Sequence, residues 1–370
     1  MAEHKQEKDL PKRTRFVRPL TLLIIAVVLV VALVLLFPAR RFLSLSQGDA
    51  GRDDPSSVSI TYLEALLEAN PGDDQLRLKL ARQLAAAGNI PKALEVMQPL
   101  SDSTDANARW LYHQISWQAF NGLEADDPRR DEQQGELIAQ MNALERNDSL
   151  TPDQLETLAR RWLELGRPAR AADLYERLAA QDPARAYERY GEAARWWLAA
   201  DAPMRAAQAW QSAFAATDDE SQRRDAALAA LDAAQQTNDG SSLRMAGEFI
   251  DAYPDDPTFL DIGIEMALAN NRLAQAQVWS RRYVELRPDD EKGLERNAQI
   301  ALANNRLDES LAGLQRLVER NPDNVALRAQ LAQVQVWAGQ PAAALANYKW
   351  LARRSGNDDY DNQIIDLGAG

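Results

Sequence analysis

The stretch VELRPDD opens at Val284, and VERNPDN follows thirty-four residues later at Val318. Thirty-four residues before the first, GEFIDAYPDD ends in the same way, with Pro254 in the place that Pro288 and Pro322 take later. A chain that returns to its own pattern at this interval is tightly constrained. One such unit cannot bury its apolar face alone, so the interval predicts a stack of supersecondary units, each packed on its neighbours.

The three prolines set a phase. Twelve residues before them lie Ser242, Ala276 and Ser310, and Ala344 continues the series. Five residues earlier again stand Thr237, Asn271, Asn305 and Gly339. Glycine and asparagine tolerate the left-handed conformation that ends a helix, so these positions read as turns. Between turns the apolar residues fall at helical spacing, as in LAQAQVWSRRYVEL and LDESLAGLQRLVE, and no useful run alternates with period two. Each unit therefore reads as two helices. Small residues let the pair approach closely. The proline ends the second helix, because it lacks an N–H and disfavours helical geometry in the residue before it. Asp289–Asp290 and Asp323–Asn324 are placed to cap the helix that follows and to suit its positive end.

This pattern resembles the tetratricopeptide repeat, whose 34-residue unit carries small residues at positions 8 and 20, a glycine-like residue at 15 and proline at 32. The frame also fits Ala81, Gly88, Ala93 and Met97 after Pro71, then Ala159, Trp162, Gly166, Ala171, Tyr175 and Pro183. It continues through Ala194, Trp197, Ala206, Trp210 and Ala213, and closes on Ala332, Gly339, Ala344 and Tyr348. The unit near 223–253 departs, with Thr237 for glycine and Phe249 for alanine. The resemblance implies an all-α, right-handed helical-repeat solenoid of about seven helix pairs over residues 58–356. Within it, 101–150 reads as a degenerate repeat whose stretch GLEADDPRRDEQQG forms a protruding loop, and 357–370 as an acidic tail or short cap.

Ahead of the repeats lies LTLLIIAVVLVVALVLLF, residues 20–37, in which fifteen of eighteen are Leu, Ile, Val or Phe and none is charged. Inserting such a run gains about 5–9 kcal/mol. As a helix it spans about 27 Å, close to the hydrocarbon thickness. It is longer than a signal-peptide core, and Arg40 and Arg41 stand before the nearest small-residue site, so we read 19–38 as an uncleaved transmembrane helix. Six Lys/Arg precede the run and two follow closely. That bias predicts a cytoplasmic basic tail over 1–18, a linker over 39–57 and a repeat body across the membrane.

Charge and residue usage narrow the function. Residues 1–43 carry a balance of +5 and the rest of the chain −18. A body this acidic repels phosphate backbones, so nucleic acid is not an expected ligand. With no cysteine and two histidines in the chain, thiolate and histidine chemistry have almost no material. His113 lacks partners at metal-ligand spacing, and NDDYDN at 357–362 lacks the glycine and terminal glutamate of a calcium loop. No catalytic, cofactor-binding or metal residue is expected, and the chain reads as a non-enzyme.

If the repeat's geometry holds, the first helix of each pair lines a concave groove. Its ninth position is Arg82, Arg160 and Arg195, then Glu265, Gln299 and Gln333; its twelfth is Ala85, Leu163, Leu198, Leu268, Leu302 and Val336. The functional reading is a partner-binding groove carried by Arg82, Arg160, Arg195, Leu163, Leu198 and Trp196. The plainer alternative is that these arginines pair with Glu156, Glu164 and Glu188 on a solvated face. Trp162, Trp197 and Trp210 read as core. Because little chain follows the last helix, Leu345, Tyr348 and Leu351 are expected to be partly uncovered, forming a docking face for a partner or a second copy. The groove positions that chaperone-tail receptors of this family fill with Lys and Asn hold no such set here.

The segment order, with LARRWLELGRPARAADLYERLAAQDPARA, is also similar to the anchored repeat region of Pel-type exopolysaccharide export scaffolds. That likeness implies a bacterial inner-membrane protein with a periplasmic repeat body that holds envelope proteins together. The alternative class is a periplasmic chaperone or assembly factor for envelope proteins.

Overall fold

The structure, a computed structural model, describes residues 57–146, 150–237, 240–355 and 358–368. Every regular element among them is helical. The predicted tail, transmembrane helix 19–38 and nearly all of the linker lie outside the described residues. No described helix is long and apolar enough to cross a membrane.

The chain divides into two compact units at Asn147. The first holds α1 (Ser57–Ala69), α2 (Asp74–Ala86), α3 (Ile90–Met97), α4 (Ala106–Asn121) and α5 (Arg130–Glu145). Its core gathers Leu63, Leu78, Leu80, Leu84, Met97 and Ile115. The second unit opens with α6 (Pro152–Glu164), α7 (Pro168–Gln181), α8 (Ala186–Ala199) and α9 (Pro203–Ala215). It goes on through α10 (Glu220–Gln235), α11 (Gly240–Ala252), α12 (Pro257–Ala269), α13 (Leu273–Leu286), α14 (Glu291–Ala303) and α15 (Leu307–Arg320). It ends with α16 (Val325–Trp337), α17 (Pro341–Ser355) and α18 (Asp358–Gly368). The described residues thus form an all-α helical repeat with eight helix pairs, α2/α3 to α16/α17, rather than about seven.

The phase read from the prolines holds residue by residue. Ala93, Ala171, Ala206, Ser242, Ala276, Ser310 and Ala344, one from the second helix of each of seven pairs, are all 0% exposed. Their counterparts on the first helices, Ala81, Ala159, Ala194, Ala298 and Ala332, are equally enclosed. Close approach of the two helices favours a small residue at these places, although α12 carries the fully buried Ile264 at the first-helix position.

The turns follow from backbone chemistry. Gly88, Gly166, Asp201, Asn271, Asn305 and Gly339 all have φ between 54° and 80°. These are the left-handed residues of a Schellman cap, in which the next N–H reaches a carbonyl five residues back. The bonds are present in all six: Asn89 to Leu84, Arg167 to Trp162, Ala202 to Trp197, Arg272 to Ala267, Arg306 to Ala301 and Gln340 to Gln335, at 2.7–3.0 Å. The sequence reading identified five of these turns and missed Asp201, an aspartate where the pattern asks for glycine. Thr237 departs as expected: its hydroxyl donates to the Ala234 carbonyl instead.

The repeated acid pair divides its work. Asp290 accepts from the Lys292 N–H and Asn324 from the Leu327 N–H, each capping the next helix. The residue before each cap bonds forward by one repeat: Asp289 holds Arg320 at 2.9 Å and Asp323 holds Arg354 at 2.8 Å. Other pairs also bridge neighbouring repeats, among them Glu156–Arg189 at 3.0 Å, Asp173–Arg205 at 3.3 Å and Asp256–Arg224 at 2.9 Å. The exposed ones contribute about 0–1 kcal/mol each, so they set alignment more than stability, whereas Arg189 is buried.

Two expectations are corrected. The predicted loop over GLEADDPRRDEQQG is only half a loop, because α5 begins at Arg130 and takes in Gly135. Asp127 accepts from both the backbone and the guanidinium of Arg129, which tightens the turn before it. At the other end, Tyr348 and Leu351 are not uncovered: they are 3% and 0% exposed, and Leu345 is half-buried. The cause is α18, whose Tyr360, Ile364 and Leu367 recur at helical spacing and pack on that face. Burial there pushes the Tyr348 phenol up from its usual pKa, with Tyr360 adding to the effect. The expected self-docking face therefore loses the surface it rested on.

Candidate functional site

The helices α6, α8, α10, α12, α14 and α16 are the first members of their pairs in the second unit. Along most of each, apolar residues are enclosed. At one repeat position they are not: Leu198 is 36% and Leu268 37% exposed, while Leu163 and Leu302 are half-buried. In α16 the half-buried Val336 is followed by Trp337, 56% exposed. In α10 the same position is the fully buried Ala234. Large apolar side chains left in water at this turn of several first helices are not explained by core packing, and mark a surface that a partner can cover.

The arginines behave differently from one another. Arg82, in the first unit, and Arg160, in the second, are exposed and make no ion pair among the described residues. Beside Arg160, burial pulls the Arg161 guanidinium down to about 10. Arg195 is tied at 3.3 Å to Glu192 on its own helix. Two of the three carboxylates considered as partners are otherwise engaged, Glu156 by Arg189 and Glu188 by Arg185. The structure does not gather the three arginines into one cluster within a unit.

Trp162 and Trp197 are buried as expected, and Trp197 donates to Glu176 at 2.7 Å. Trp210 is half-buried, its ring lying 3.1 Å from where a Cβ on Gly191 would stand. Trp196 is also half-buried, and its indole N–H is enclosed with no acceptor among the described residues. His113 is fully buried, with Nδ1 3.2 Å from the Gln140 amide oxygen. Among the described residues no group of three or more His, Asp and Glu could hold a metal ion.

A cavity of about 260 Å³ opens on the same face between α14, α15 and α16. Its lining includes Gln299, Leu302, Ser310, Leu314, Gln333 and Trp337, and no ionisable side chain. The Ser310 hydroxyl is buried there without a hydrogen-bond partner. Two glutamines on its rim are held in complementary ways. The Tyr348 hydroxyl donates to the Gln333 carbonyl oxygen at 3.3 Å, leaving its NH₂ as a donor. Gln299 donates its own NH₂ to Glu295 at 3.3 Å, leaving its carbonyl oxygen as an acceptor. Trp337 was passed over in the sequence because it sits one residue beyond the position the repeat frame singles out.

A family model described as a tetratricopeptide repeat matches residues 59–112. That stretch is similar to tetratricopeptide-repeat sequence. It spans α1 to α4, and the same spacing of small residues and left-handed turns recurs in most helix pairs of the second unit. Three solved structures are similar. The tetratricopeptide domain of P58(IPK) is 12% identical, with 84% of this chain and 92% of that one covered and a TM-score of 0.24. A tetratricopeptide repeat protein from Parabacteroides merdae is 12% identical, covering 80% and 98%, with a TM-score of 0.28. YrrB, described as a tetratricopeptide protein with an unusual peptide-binding site, is 12% identical over 61% and 96%, with a TM-score of 0.27. Likeness at these values transfers neither site nor partner to this chain. No curated protein matches the chain.

Proposed function

We propose that this chain is a membrane-anchored scaffold, not an enzyme, that holds partner proteins on the first-helix face of its second unit. The observation that carries the reading is that Leu198, Leu268 and Trp337 stay in water near the same turn of the first helices α8, α12 and α16, while the same turn of α10 holds the buried Ala234. A packed array gains nothing from exposing these residues, whereas a bound segment would remove them from water at about 25 cal/mol per Å².

The apolar run at 20–37 and the excess of Lys/Arg before it support an anchor with the amino terminus in the cytoplasm and the repeats on the far side, in a bacterium the periplasm. Its similarity in segment order to Pel-type export scaffolds favours an envelope-assembly or exopolysaccharide-export context. The exposed leucines also fit a second reading, an assembly factor that binds unfolded envelope segments promiscuously.

Affinity purification of the full-length chain from membranes tests both. A scaffold retains one or two partners at fixed stoichiometry, and the double variant Leu198→Asp, Leu268→Asp releases them while the circular dichroism spectrum stays unchanged. Many substoichiometric partners would favour the assembly factor. Stoichiometric partners that persist on the double variant would refute the first-helix face as the binding surface.

A further inference from the structure

The cavity between α14, α15 and α16 has a chemistry specific enough to name its occupant. We infer that it takes one bulky, uncharged apolar side chain, of leucine or phenylalanine type, from an extended segment of a partner protein, and that Gln299 and Gln333 pair with the backbone beside that residue. This deepens the groove reading above and rests on it.

Four observations converge. At about 260 Å³ the cavity is smaller than the roughly 300–1,000 Å³ of sites for whole small molecules, and suits a single side chain. Its lining is apolar and carries no ionisable group, so a charged anchor would lose its hydration with nothing to replace it. Its rim carries three glutamines; Gln333 offers its NH₂ and Gln299 its carbonyl oxygen, because Tyr348 and Glu295 occupy the opposite ends of those two amides, and Gln330 stands beside them. A peptide unit offers the matching acceptor and donor, but only when its backbone is extended. In a helix those groups are already paired internally, and a hydrocarbon or lipid tail has none. Finally, the buried Ser310 hydroxyl lacks a partner, a cost that an occupant's backbone or a water carried with it would relieve. Trp337 forms the outer wall, amphipathic and over half exposed until covered.

The test uses the full-length chain and nine-residue peptide pools, random except for one fixed central residue: Phe, Leu, Ala, Asp or Lys. Binding is read by fluorescence anisotropy. The Phe and Leu pools should bind about tenfold or more tightly than the Ala pool, with Asp and Lys weakest. Trp337→Ala and Leu302→Arg, both at solvent-reached positions, should abolish the preference without altering the helical signal. Methylating the backbone nitrogen of the fixed residue should cost about tenfold, since it removes one of the two proposed hydrogen bonds. If all pools bind alike, or the charged pools bind best, and Trp337→Ala changes nothing, the anchor inference is overturned while the groove survives. If backbone methylation has no effect, the glutamine pairing is overturned. If no pool binds and partners persist on the Leu198→Asp, Leu268→Asp variant, the groove reading fails as well.

Discussion

Gly88→Ala and Gly135→Ala should move stability in opposite directions, though both glycines lie in the first unit and both face open space. No heavy atom comes within 4 Å of a Cβ built at either residue, so neither change causes a clash. Gly88 has φ of +80°, which places any Cβ against the carbonyl of the same residue at about 1–2 kcal/mol. Its cap also carries the bond from Asn89 N–H to the Leu84 carbonyl at 2.9 Å, which weakens if the turn shifts to relieve the strain. Gly135 lies inside α5 and has no positive φ. Alanine there gains about 0.5–1 kcal/mol by restricting the unfolded chain. The two variants should therefore differ by roughly 1.5–3 kcal/mol in urea unfolding followed by circular dichroism. Hydrogen exchange at the Asn89 amide should speed up in Gly88→Ala and stay constant in Gly135→Ala. Equal shifts of the same sign would show that the left-handed cap does not hold the turn.

Three further outcomes are expected. Ala276→Leu, at a site 0% exposed between paired helices, should cost about 1–3 kcal/mol by overpacking, and a neutral result in calorimetry would refute the assigned phase. Arg129 holds the Asp127 carboxyl down, from 3.8 to about 2, so its tie to the turn is fully present above the unfolded value and is lost as pH falls toward about 2. Carbon-detected NMR titration should follow this, and Arg129→Ala should move Asp127 only part of the way back up, because the backbone N–H of residue 129 still donates to it. Ending the chain at Ser355 should uncover Tyr348 and Leu351 and raise the binding of a hydrophobic dye above that of the full chain; an unchanged dye signal would mean that α18 is not their cover.

Most of the fold was legible because the repeat writes its sterics into residue size. Alanine and serine mark close helix approach and glycine and asparagine mark left-handed turns, and neither choice depends on distant contacts. Asp201 was missed because aspartate tolerates the left-handed region less conspicuously than glycine does. Gly135 misled in the other direction: on a solvated helix face it costs only about 1 kcal/mol and breaks nothing. The cover that α18 provides is hard to see in sequence because its apolar residues are few: only Tyr360, Ile364 and Leu367 share the covering face, and Ile365 is 65% exposed. The first-helix face was legible at Leu163, Leu198, Leu268 and Leu302. The hydrogen-bonding state of Gln299 and Gln333 was not, because it depends on Glu295 and Tyr348, and Tyr348 comes from the second helix of the pair.

The forward ion pairs bear on how such a chain can change length over evolution. Each of these units carries at one end an aspartate that receives a guanidinium from the next unit, and near the end of its second helix an arginine that reaches back, as Asp289 and Arg320 do, then Asp323 and Arg354. A thirty-four-residue segment copied in frame therefore arrives with both halves of the connection, and one deleted in frame removes both. Duplication or loss leaves no orphaned charge at the seam, so the array can be lengthened or shortened by unequal recombination without a compensating mutation elsewhere.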